Sequence, residues 1–292
     1  MKVLVTGAGG QLGRELQSTC PNEIDLTAAN RADLDLTHED QIRRVLGEIR
    51  PDLIVNAAAY TAVDQAESDR EGAFAVNALG ARDLARRARE VGARLIHFST
   101  DFVFDGRRSV PYQPDSATDP QSVYGASKLA GENHVLETCG RSGLVIRTAW
   151  VYSHFGANFV RTMLRLMAER EEVSVVMDQI GTPTWTRSLA DLVWAVCGHP
   201  DLHGTYHWTD AGVASWYDFA IAIQEEATAL AILNSPCKVL PVTTADFPTA
   251  ARRPSFSVLD TTAIRHDLGL AGIHWRRRLR TMLEAWSENQ ED

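Results

Sequence analysis

The sequence predicts an α/β protein in which a doubly wound parallel sheet is followed by a smaller second α/β domain. Three observations support this fold class. Short, nearly continuous apolar runs alternate with amphipathic stretches in the first half of the 292 residues, as in parallel sheets covered by helices on both faces. A glycine-spaced turn, "TGAGGQLG", connects the first apolar run to the first helical stretch. After about residue 150 the alternation becomes looser, which predicts a second domain.

The predicted first domain covers residues 1–150, and its elements follow in order. Apolar runs predict strands at residues 2–6, 23–27, 52–59, 94–100 and 143–152. Amphipathic stretches predict helices at residues 11–19, 37–50, 71–92 and 124–138. Thr37 is the expected N-cap of the second helix, because acidic residues fill the turn that follows it. Residues 101–122, rich in Pro, Asp and Ser, are expected to form a loop.

The predicted second domain covers residues 151–292 and is expected to bind the substrate. Helices are predicted at residues 157–170, 188–198 and 215–230, with Ser215 as the cap of the last, and short strands at 173–178 and 204–210. Residues 247–256 read as an irregular loop. Elements within about 186–210 are candidates to return to the first sheet.

Composition argues against several function classes. The net charge of −9 disfavours a nucleic-acid or anionic-membrane partner. The four widely spaced cysteines are typical of reduced thiols, so we expect a cytoplasmic protein. No apolar window approaches the ~18 residues of a transmembrane helix, and the N-terminal residues do not resemble a signal peptide. The histidines lack metal-ligand spacing, and we expect His97, in the middle of a strand, to be a packed residue.

The glycine-spaced turn predicts a dinucleotide phosphate site. Gly7 permits the tight turn, Gly10 lets the backbone approach a pyrophosphate, and Gly13 lets the helix pack closely on the strand. The helix that follows would direct its N-terminal N–H groups at the phosphates. This strand–turn–helix context predicts a Rossmann-type cofactor domain.

The end of the second strand bears on which dinucleotide is bound. An acidic residue there would bind the ribose 2′-hydroxyl of NAD, whereas an arginine can bind the 2′-phosphate of NADP. The segment Thr27–Arg31 contains no acid and ends in Arg31. The sequence therefore favours NADPH, with NADH left open, since Arg31 could equally be a solvated loop residue.

Tyr124 and Lys128 lie four residues apart, on one face of the fourth predicted helix. A nearby ammonium should lower the pKa of a phenol, and a tyrosine tuned in this way could protonate a substrate oxygen as a carbonyl is reduced. Ser99 and Thr100 end the fourth strand, where ligands bind in open α/β sheets, and a hydroxyl there could hold the carbonyl. We therefore predict Tyr124 and Lys128 as catalytic residues, together with a hydroxyl from this strand end.

These motifs resemble the extended short-chain dehydrogenase/reductase superfamily. Within it, the chain resembles the dTDP-4-dehydrorhamnose reductase family, through segments that include "AYTAVDQAE", "STDFVFDG", "VYGASKLAGE", "RTAWVY", "DQIGTPT" and "PTAARRP". The resemblance implies a two-domain enzyme that passes hydride from NAD(P)H to C4 of a dTDP-4-keto-6-deoxyhexose, in dTDP-rhamnose synthesis for cell-surface polysaccharide.

The resemblance also implies roles for individual residues. Tyr124 would donate the proton, Lys128 would bind the nicotinamide ribose, and Thr100 would orient the C4 oxygen. The other implied cofactor contacts are Gly10, Gln11, Leu12, Asp35, Leu36, Ala59, Tyr60 and Thr61. The implied sugar contacts are Thr100, Asp101 and Trp150. Arg253 is a candidate for the substrate diphosphate, or alternatively a brace for its own loop.

A magnesium-bridged dimer occurs in some members of the family and uses three glutamates. Glu15 matches the first of these, but Arg187 stands at the second position and Glu284 lies only near the third. An arginine beside Mg²⁺ is electrostatically unfavourable. The sequence therefore argues against both a bound metal and that dimer, and leaves another homodimer open.

Two other readings stay open. One is a nucleotide-sugar epimerase or dehydratase on the same fold, although Asp101 is followed by Phe102 and not by the second acid that dehydratases need. The other is a non-catalytic regulatory module that resembles the regulatory subunit of methionine adenosyltransferase. Turnover of NADPH with the keto sugar would discriminate the reductase from both.

Overall fold

The computed structural model describes residues 1–235 and 237–288. Its strands are β1 (Lys2–Thr6), β2 (Asp25–Ala29), β3 (Leu53–Asn56), β4 (Arg94–Thr100), β5 (Gly143–Thr148), β6 (Val151–Tyr152), β7 (Glu172–Val176), β8 (Ile180–Gly181), β9 (Thr184–Trp185), β10 (Gly204–His207), β11 (Ala214–Ser215) and β12 (Lys238–Val242). Six of them form one parallel sheet in the order β10-β5-β4-β3-β1-β2.

Helices connect these strands. They are α1 (Gln11–Ser18), α2 (Glu39–Ile49), α3 (Val63–Ala66), α4 (Arg70–Phe74), α5 (Ala81–Val91), α6 (Val123–Cys139), α7 (Phe159–Glu169), α8 (Thr186–Cys197), α9 (Trp216–Ala229), α10 (Thr262–Leu268) and α11 (Trp275–Glu288). A π-helical segment, Ala75–Gly80, joins α4 to α5, and short 3₁₀ turns cover Asp101–Val103, Gly140–Ser142 and Thr244–Asp246.

The six-stranded sheet is covered on both faces, so the predicted doubly wound fold class is confirmed. On one face, helices α1 and α8 pack through Leu16 and Leu192 onto strand residues that include Val5. On the other face, helices α2, α5 and α6 pack through residues such as Leu46 and Leu84. Strands buried on both sides read as continuous apolar runs, which explains why the sequence pattern was informative here.

The residues after the fifth strand form three two-stranded sheets, β11-β8, β12-β7 and β6-β9, and add helix α8 and strand β10 to the main sheet. Helices α7, α9 and α11 bury a separate apolar cluster that includes Phe219 and Leu279. Ser215 caps α9 as predicted: it accepts from the Asp218 N–H and completes a capping box with the Asp218 carboxylate. Among the described residues, no helix is both long and apolar enough to span a membrane.

Two boundary predictions are wrong. The predicted fifth strand stops at Thr148 because Trp150 adopts a left-handed backbone conformation, with φ of 47°, before β6 begins. Helix α2 is capped by His38 and not by Thr37, whose hydroxyl instead donates to Asp35 Oδ1 at 2.8 Å. In both cases a local polar or aromatic contact overrides the periodic pattern.

The predicted helix 71–92 is helical but not uniformly α-helical. Its π segment contains Asn77, whose side chain bonds backbone groups outside the helix. A Cβ at Gly131 of α6 would lie 2.1 Å from the Asn77 carbonyl oxygen, so the two helices are in very close contact there. Single-turn π segments of this kind often occur at functional sites.

Three of the longer elements lie where the sequence predicted none, β12, α10 and α11, and so do the short α3, β8, β9 and β11. Pro241 lies inside β12, and a proline lowers the expectation of a strand except at a sheet edge. The strand pairs in parallel with β7 alone, which is compatible with such an edge position.

Candidate active site

The predicted phosphate turn lies between β1 and α1 and packs against the end of β3. Gly7 has φ of 71°, and a Cβ there would lie 2.7 Å from the Ala58 nitrogen. A Cβ at Gly13 would lie 2.3 Å from the Gly7 carbonyl oxygen. Both positions therefore exclude any side chain. Gly10 caps α1 in an extended conformation, so the free N–H groups of that helix face the turn.

A groove of about 330 Å³ opens beside this turn. It is lined by the glycine turn, the residues after β2 and the residues after β3: Gly7, Gly9, Gly10, Asn30, Arg31, Leu34, Asp35, Leu36, Ala57, Ala58, Ala59, Tyr60 and Val76. Seven predicted cofactor residues thus share one groove. Six others do not line it. Gly13 packs on the turn, Leu12 is in the core, Thr61 is exposed, and Gln11 accepts a hydrogen bond from Asn158 at 3.1 Å. The remaining two, Tyr124 and Lys128, lie on helix α6.

Arg31 lies at the rim of the groove with 82% of its side chain exposed, and its Nε donates to Asp35 Oδ2 at 3.0 Å. Burial raises the pKa of Asp35, but hydrogen bonds from Thr37 and the contact with Arg31 outweigh it and lower the pKa to about 2. Asp35 is therefore ionised at neutral pH and fixes the arginine at the mouth of the groove.

Thr100, Asp101 and Tyr124 meet at the carboxyl end of β4. The Thr100 hydroxyl donates to Asp101 Oδ1 at 3.0 Å and lies within hydrogen-bonding reach of the Tyr124 phenol. Ser122 caps α6 by accepting from the Gly125 N–H, so the tyrosine lies in the first turn of its helix. The end of β4 and the start of α6 therefore bring the hydroxyls of Thr100 and Tyr124 and the carboxyl group of Asp101 close together.

The expected lowering of the tyrosine pKa by Lys128 is wrong for this structure. Burial raises the pKa of Tyr124 to about 12; the Thr100 contact lowers it only in part, and Asp101 raises it further. The Lys128 ammonium is turned away, and its Nζ donates to the Phe98 carbonyl oxygen at 2.6 Å. Burial lowers the pKa of Lys128 to about 8, with Glu132 acting in the opposite direction.

Asp101 is the buried charge of the site, with 2% exposure. Burial raises its pKa to about 6, and the hydroxyls of Ser257 and Thr100 offset part of the rise. Its second oxygen, Oδ2, has no hydrogen-bond partner in the part of the chain that the structure describes. An unpaired buried carboxylate oxygen is costly, and it is suited to a hydroxyl donor from a bound molecule.

Trp150 lies close to the same sheet edge and is held between two neighbours. Its ring stacks on the Trp216 ring, with the two centroids 3.6 Å apart. A Cβ at Gly181 would lie only 2.5 Å from the Trp150 ring, so a side chain at that position would clash with it. A left-handed backbone is rare for a bulky residue and is often associated with functional sites. The structure therefore fixes the ring rigidly.

Arg253 lies in the loop 247–256 and lines a second groove of about 780 Å³ between α7, β7 and that loop. Its Nη2 donates to Asp64 Oδ2 at 2.7 Å. Ser257, four residues later, faces Asp101. The larger groove therefore runs along the loop that also borders the residues at the end of β4.

The three residues considered for a metal do not come together. Glu15 is buried, and its Oε2 accepts from the Thr186 hydroxyl at 2.9 Å. Arg187 pairs with Asp191 at 3.1 Å, and Glu284 pairs with Arg280 at 3.1 Å. In residues 1–235 and 237–288, no group of three or more His, Cys, Asp or Glu side chains could hold a metal ion.

Sequence reasoning missed Asn77, which joins the groove beside the glycine turn to helix α6, the helix that carries Tyr124. Its amide pairs with both backbone groups of Tyr60, at 2.8 and 3.0 Å, and donates to the Ser127 hydroxyl at 3.0 Å. Ser127 in turn donates to the Tyr124 carbonyl oxygen. The available signal was a lone asparagine on an apolar helix face. His97, by contrast, is packed as expected, with Nδ1 2.9 Å from Asn56 Nδ2.

Comparison with known proteins gives one consistent family. The model of the family described as "RmlD substrate binding domain" matches residues 1–288. The chain is 43% identical over 286 residues to a dTDP-4-dehydrorhamnose reductase from Burkholderia thailandensis, covering 94% of this chain and 96% of that protein. It is 44% identical over 283 residues to a probable dTDP-4,6-dihydroxy-2-methyloxan-3-one 4-ketoreductase from Streptomyces antibioticus, covering 96% and 94%.

Solved structures agree with this assignment. A dTDP-4-dehydrorhamnose reductase from Bacillus anthracis, in complex with NADP, superposes with a TM-score of 0.92 at 41% identity, covering 97% of this chain and 99% of that one. The similarity therefore extends over both the sheet and the region that follows it.

Proposed function

The chain belongs to the RmlD substrate binding domain family, and on that premise we propose that it is an NADPH-dependent dTDP-4-dehydrorhamnose reductase. The reaction is reduction of the C4 ketone of dTDP-4-dehydro-β-L-rhamnose to give dTDP-L-rhamnose. One observation carries the proposal: a phenol, a hydroxyl and a buried carboxylate converge at the end of β4, beside a glycine-lined groove.

The groove residues fit a dinucleotide phosphate. The side-chain-free turn at Gly7 and Gly10 leaves backbone N–H groups of α1 for the pyrophosphate. Arg31 at the rim is suited to a 2′-phosphate and favours NADPH. Bound NADPH supplies the hydride for the ketone carbon.

The protein residues supply a proton and hold the substrate. With a pKa of about 12, Tyr124 keeps its proton at neutral pH and is the acid that can protonate the C4 oxygen. The Thr100 hydroxyl orients that oxygen. Asp101 Oδ2 would accept from a sugar hydroxyl, Trp150 would cover the sugar ring, and Lys128 would bind the nicotinamide ribose.

We also propose a division of labour between residues 1–150, which bind the cofactor, and residues 151–292, which bind the nucleotide sugar. Helix α8 and strand β10 belong to the first unit by their packing, although they come from the later sequence. Arg253 then lies on the substrate side of the division.

The test is NADPH oxidation in the presence of dTDP-4-dehydrorhamnose. Wild-type protein should consume both reactants and release dTDP-L-rhamnose, while Lys128→Met should lose activity and cofactor affinity together. Protein that carries stoichiometric NAD⁺ and consumes no NADPH would instead be an epimerase or a dehydratase. Absence of turnover in the wild type would favour a regulatory module.

A second candidate substrate follows from the Streptomyces antibioticus relative, whose name specifies another dTDP-linked ketone. The chemistry would be the same, and only the sugar would differ. The ratio of kcat/KM for the two ketones, measured in one competition assay, decides between them; we expect the rhamnose precursor to be preferred.

A further inference from the structure

Two segments of this chain, "AYTAVDQAE" and "PTAARRP", meet through one side chain, Asp64, to which the sequence analysis assigned no role. Asp64 belongs to the short helix α3, three residues after Thr61 at the end of the cofactor loop. Its Oδ2 accepts from Arg253 Nη2 at 2.7 Å, and its Oδ1 accepts from the Ala251 N–H at 3.0 Å. One carboxylate therefore holds both the arginine and the backbone that carries it.

The loop that carries Arg253 has few other constraints close to this point. It contains no helix or strand between residues 247 and 255. Arg252 Nη1 donates to Gln121 Oε1 at 3.4 Å, a long contact, and the next firm attachment is Ser255, whose hydroxyl donates to the Gly106 carbonyl oxygen at 2.9 Å. Without Asp64 the Arg253 side chain would be free to adopt many rotamers.

The guanidinium of Arg253 keeps donors available for a ligand. It has five N–H groups in a planar fork, and one of them contacts Asp64. In the described part of the chain, its Nε and Nη1 donate to no protein group, and 26% of the side chain is exposed on the wall of the larger groove. Nη2 carries a second N–H beside the one that contacts Asp64, so one edge of the guanidinium, which pairs Nη2 with Nε or with Nη1, keeps the two parallel donors that arginine offers to a phosphate.

We propose that Asp64 is a positioning residue for the substrate: it fixes Arg253 so that its free N–H groups face the diphosphate of the nucleotide sugar. This inference rests on the proposed function, since it takes the diphosphate to be the ligand of Arg253. The Asp64 carboxylate contacts the guanidinium through Nη2 alone, and the other N–H groups of Arg253 would contact the phosphates.

The variant that isolates this role is Asp64→Asn. Asparagine keeps an oxygen that can accept from the Ala251 N–H, but it removes the charge that holds the guanidinium. Asp191→Asn is the matched control, because Asp191 pairs with Arg187 at 3.1 Å and is 45% exposed, as is Asp64. The control pair lies on helix α8, away from both grooves.

The probes are thymidine 5′-diphosphate and thymidine, titrated calorimetrically in the presence of saturating NADP⁺. We expect Asp64→Asn to weaken diphosphate binding by about tenfold, the scale of one charge-assisted hydrogen bond, and to change thymidine binding by less than about twofold. KM for the keto sugar should rise to the same extent with kcat unchanged. Asp191→Asn should change none of these quantities.

A double mutant separates positioning from loop structure. In an Arg253→Ala background, Asp64→Asn should have no further effect on diphosphate binding. A further loss there, equal losses for thymidine and its diphosphate, or tighter diphosphate binding in Asp64→Asn would each overturn the inference. So would a wild-type protein that does not bind the diphosphate.

Failure of the proposed function gives a different result. Protein that binds the diphosphate in an Asp64-dependent manner but does not oxidise NADPH would retain the positioning role and refute the reductase. Normal turnover with unchanged diphosphate affinity in Asp64→Asn would refute the positioning role alone.

Discussion

The six-stranded sheet and the irregular segments that follow β5 place their proposed functional side chains in different ways. In the sheet region, Thr100 ends a strand, and Tyr124 and Lys128 lie one turn apart on one helix. In the later segments, Trp150 and Arg253 lie in irregular backbone, and contacts with individual residues such as Trp216, Gly181 and Asp64 hold them. Regular backbone is enough to position the first set, whereas the second set depends on individual partners.

The largest expected effect concerns the sheet region. Tyr124→Phe removes the proposed proton donor but keeps the ring that packs edge-on against Phe102. We expect kcat to fall about 10²- to 10⁴-fold, as for loss of a general acid, with NADPH affinity and thermal stability unchanged. Stopped-flow reduction and fluorescence titration with NADPH would measure these quantities.

Trp150→Phe offers the corresponding change in the later region. Its effect should appear mainly in KM for the keto sugar, because the ring contacts the substrate without exchanging a proton. If Trp150→Phe lowered kcat as much as Tyr124→Phe does, the proposed difference between a residue that transfers a proton and a residue that positions the sugar would be wrong.

The second effect concerns stability. Glu132 of α6 and Arg147 of β5 form a buried ion pair of several contacts, the shortest 2.7 Å. Arg147 also donates to the Pro114 carbonyl oxygen and so fastens the loop between β4 and α6. Glu132→Gln should lower the free energy of unfolding by about 3–5 kcal/mol, because it leaves a buried guanidinium uncompensated.

The matched control lies in the later region. Glu169 pairs with Arg165 at 3.0 Å, with more than half of both side chains exposed. Glu169→Gln should cost less than about 1 kcal/mol, as for other exposed ion pairs. Urea unfolding of both variants gives the comparison, and equal costs would show that burial does not distinguish the two pairs.

The difference between side chains positioned by regular backbone and side chains positioned by individual contacts also explains what could be predicted from the sequence. The parallel sheet, the glycine turn and the positions of Thr100 at a strand end and of Tyr124 and Lys128 on one helix were predictable, since strand burial and helical spacing leave periodic patterns. The break at Trp150 was not, because it depends on Gly181 and Trp216, which are distant in sequence. Nor was the orientation of Lys128, because its partner is a backbone carbonyl of another element.

The third prediction concerns Asp101 and pH. Its pKa is raised from 3.8 to about 6 by burial, so the ionised form destabilises the folded state. This cost is present in full above about pH 6 and disappears as the pH falls towards the unfolded value near 4. Asp101→Asn should therefore stabilise the protein by up to about 3 kcal/mol at pH 8, and by little at pH 4.

Thermal unfolding of wild type and Asp101→Asn across this pH range measures the effect, and the activity of the same variant should fall because the sugar loses a charged acceptor. A variant that is destabilised at pH 8 would mean that the Thr100 and Ser257 hydroxyls compensate the charge fully. Asp101 would then be a buried carboxylate whose charge is compensated by hydrogen bonds, and not one that destabilises the fold for the sake of function.

The smallest effect is expected at Arg31, which lies in the sheet region but on a loop. Its side chain is largely exposed and held mainly by Asp35, so it resembles Arg253 more than it resembles Lys128. Arg31→Ala should lower the NADPH-to-NADH ratio of kcat/KM by about tenfold, the scale of one charge-assisted contact made partly in solvent. Arg44→Ala, which removes another exposed arginine paired to Glu48, is the control and should leave the ratio unchanged.

An unchanged ratio in Arg31→Ala would make Arg31 a solvated loop residue, and selection of the 2′-phosphate would then have to come from the backbone around Asn30. A tenfold lower ratio would instead show that Arg31 resembles Arg253 in its role: each is a cation whose contribution to ligand binding is set by the single carboxylate that holds it.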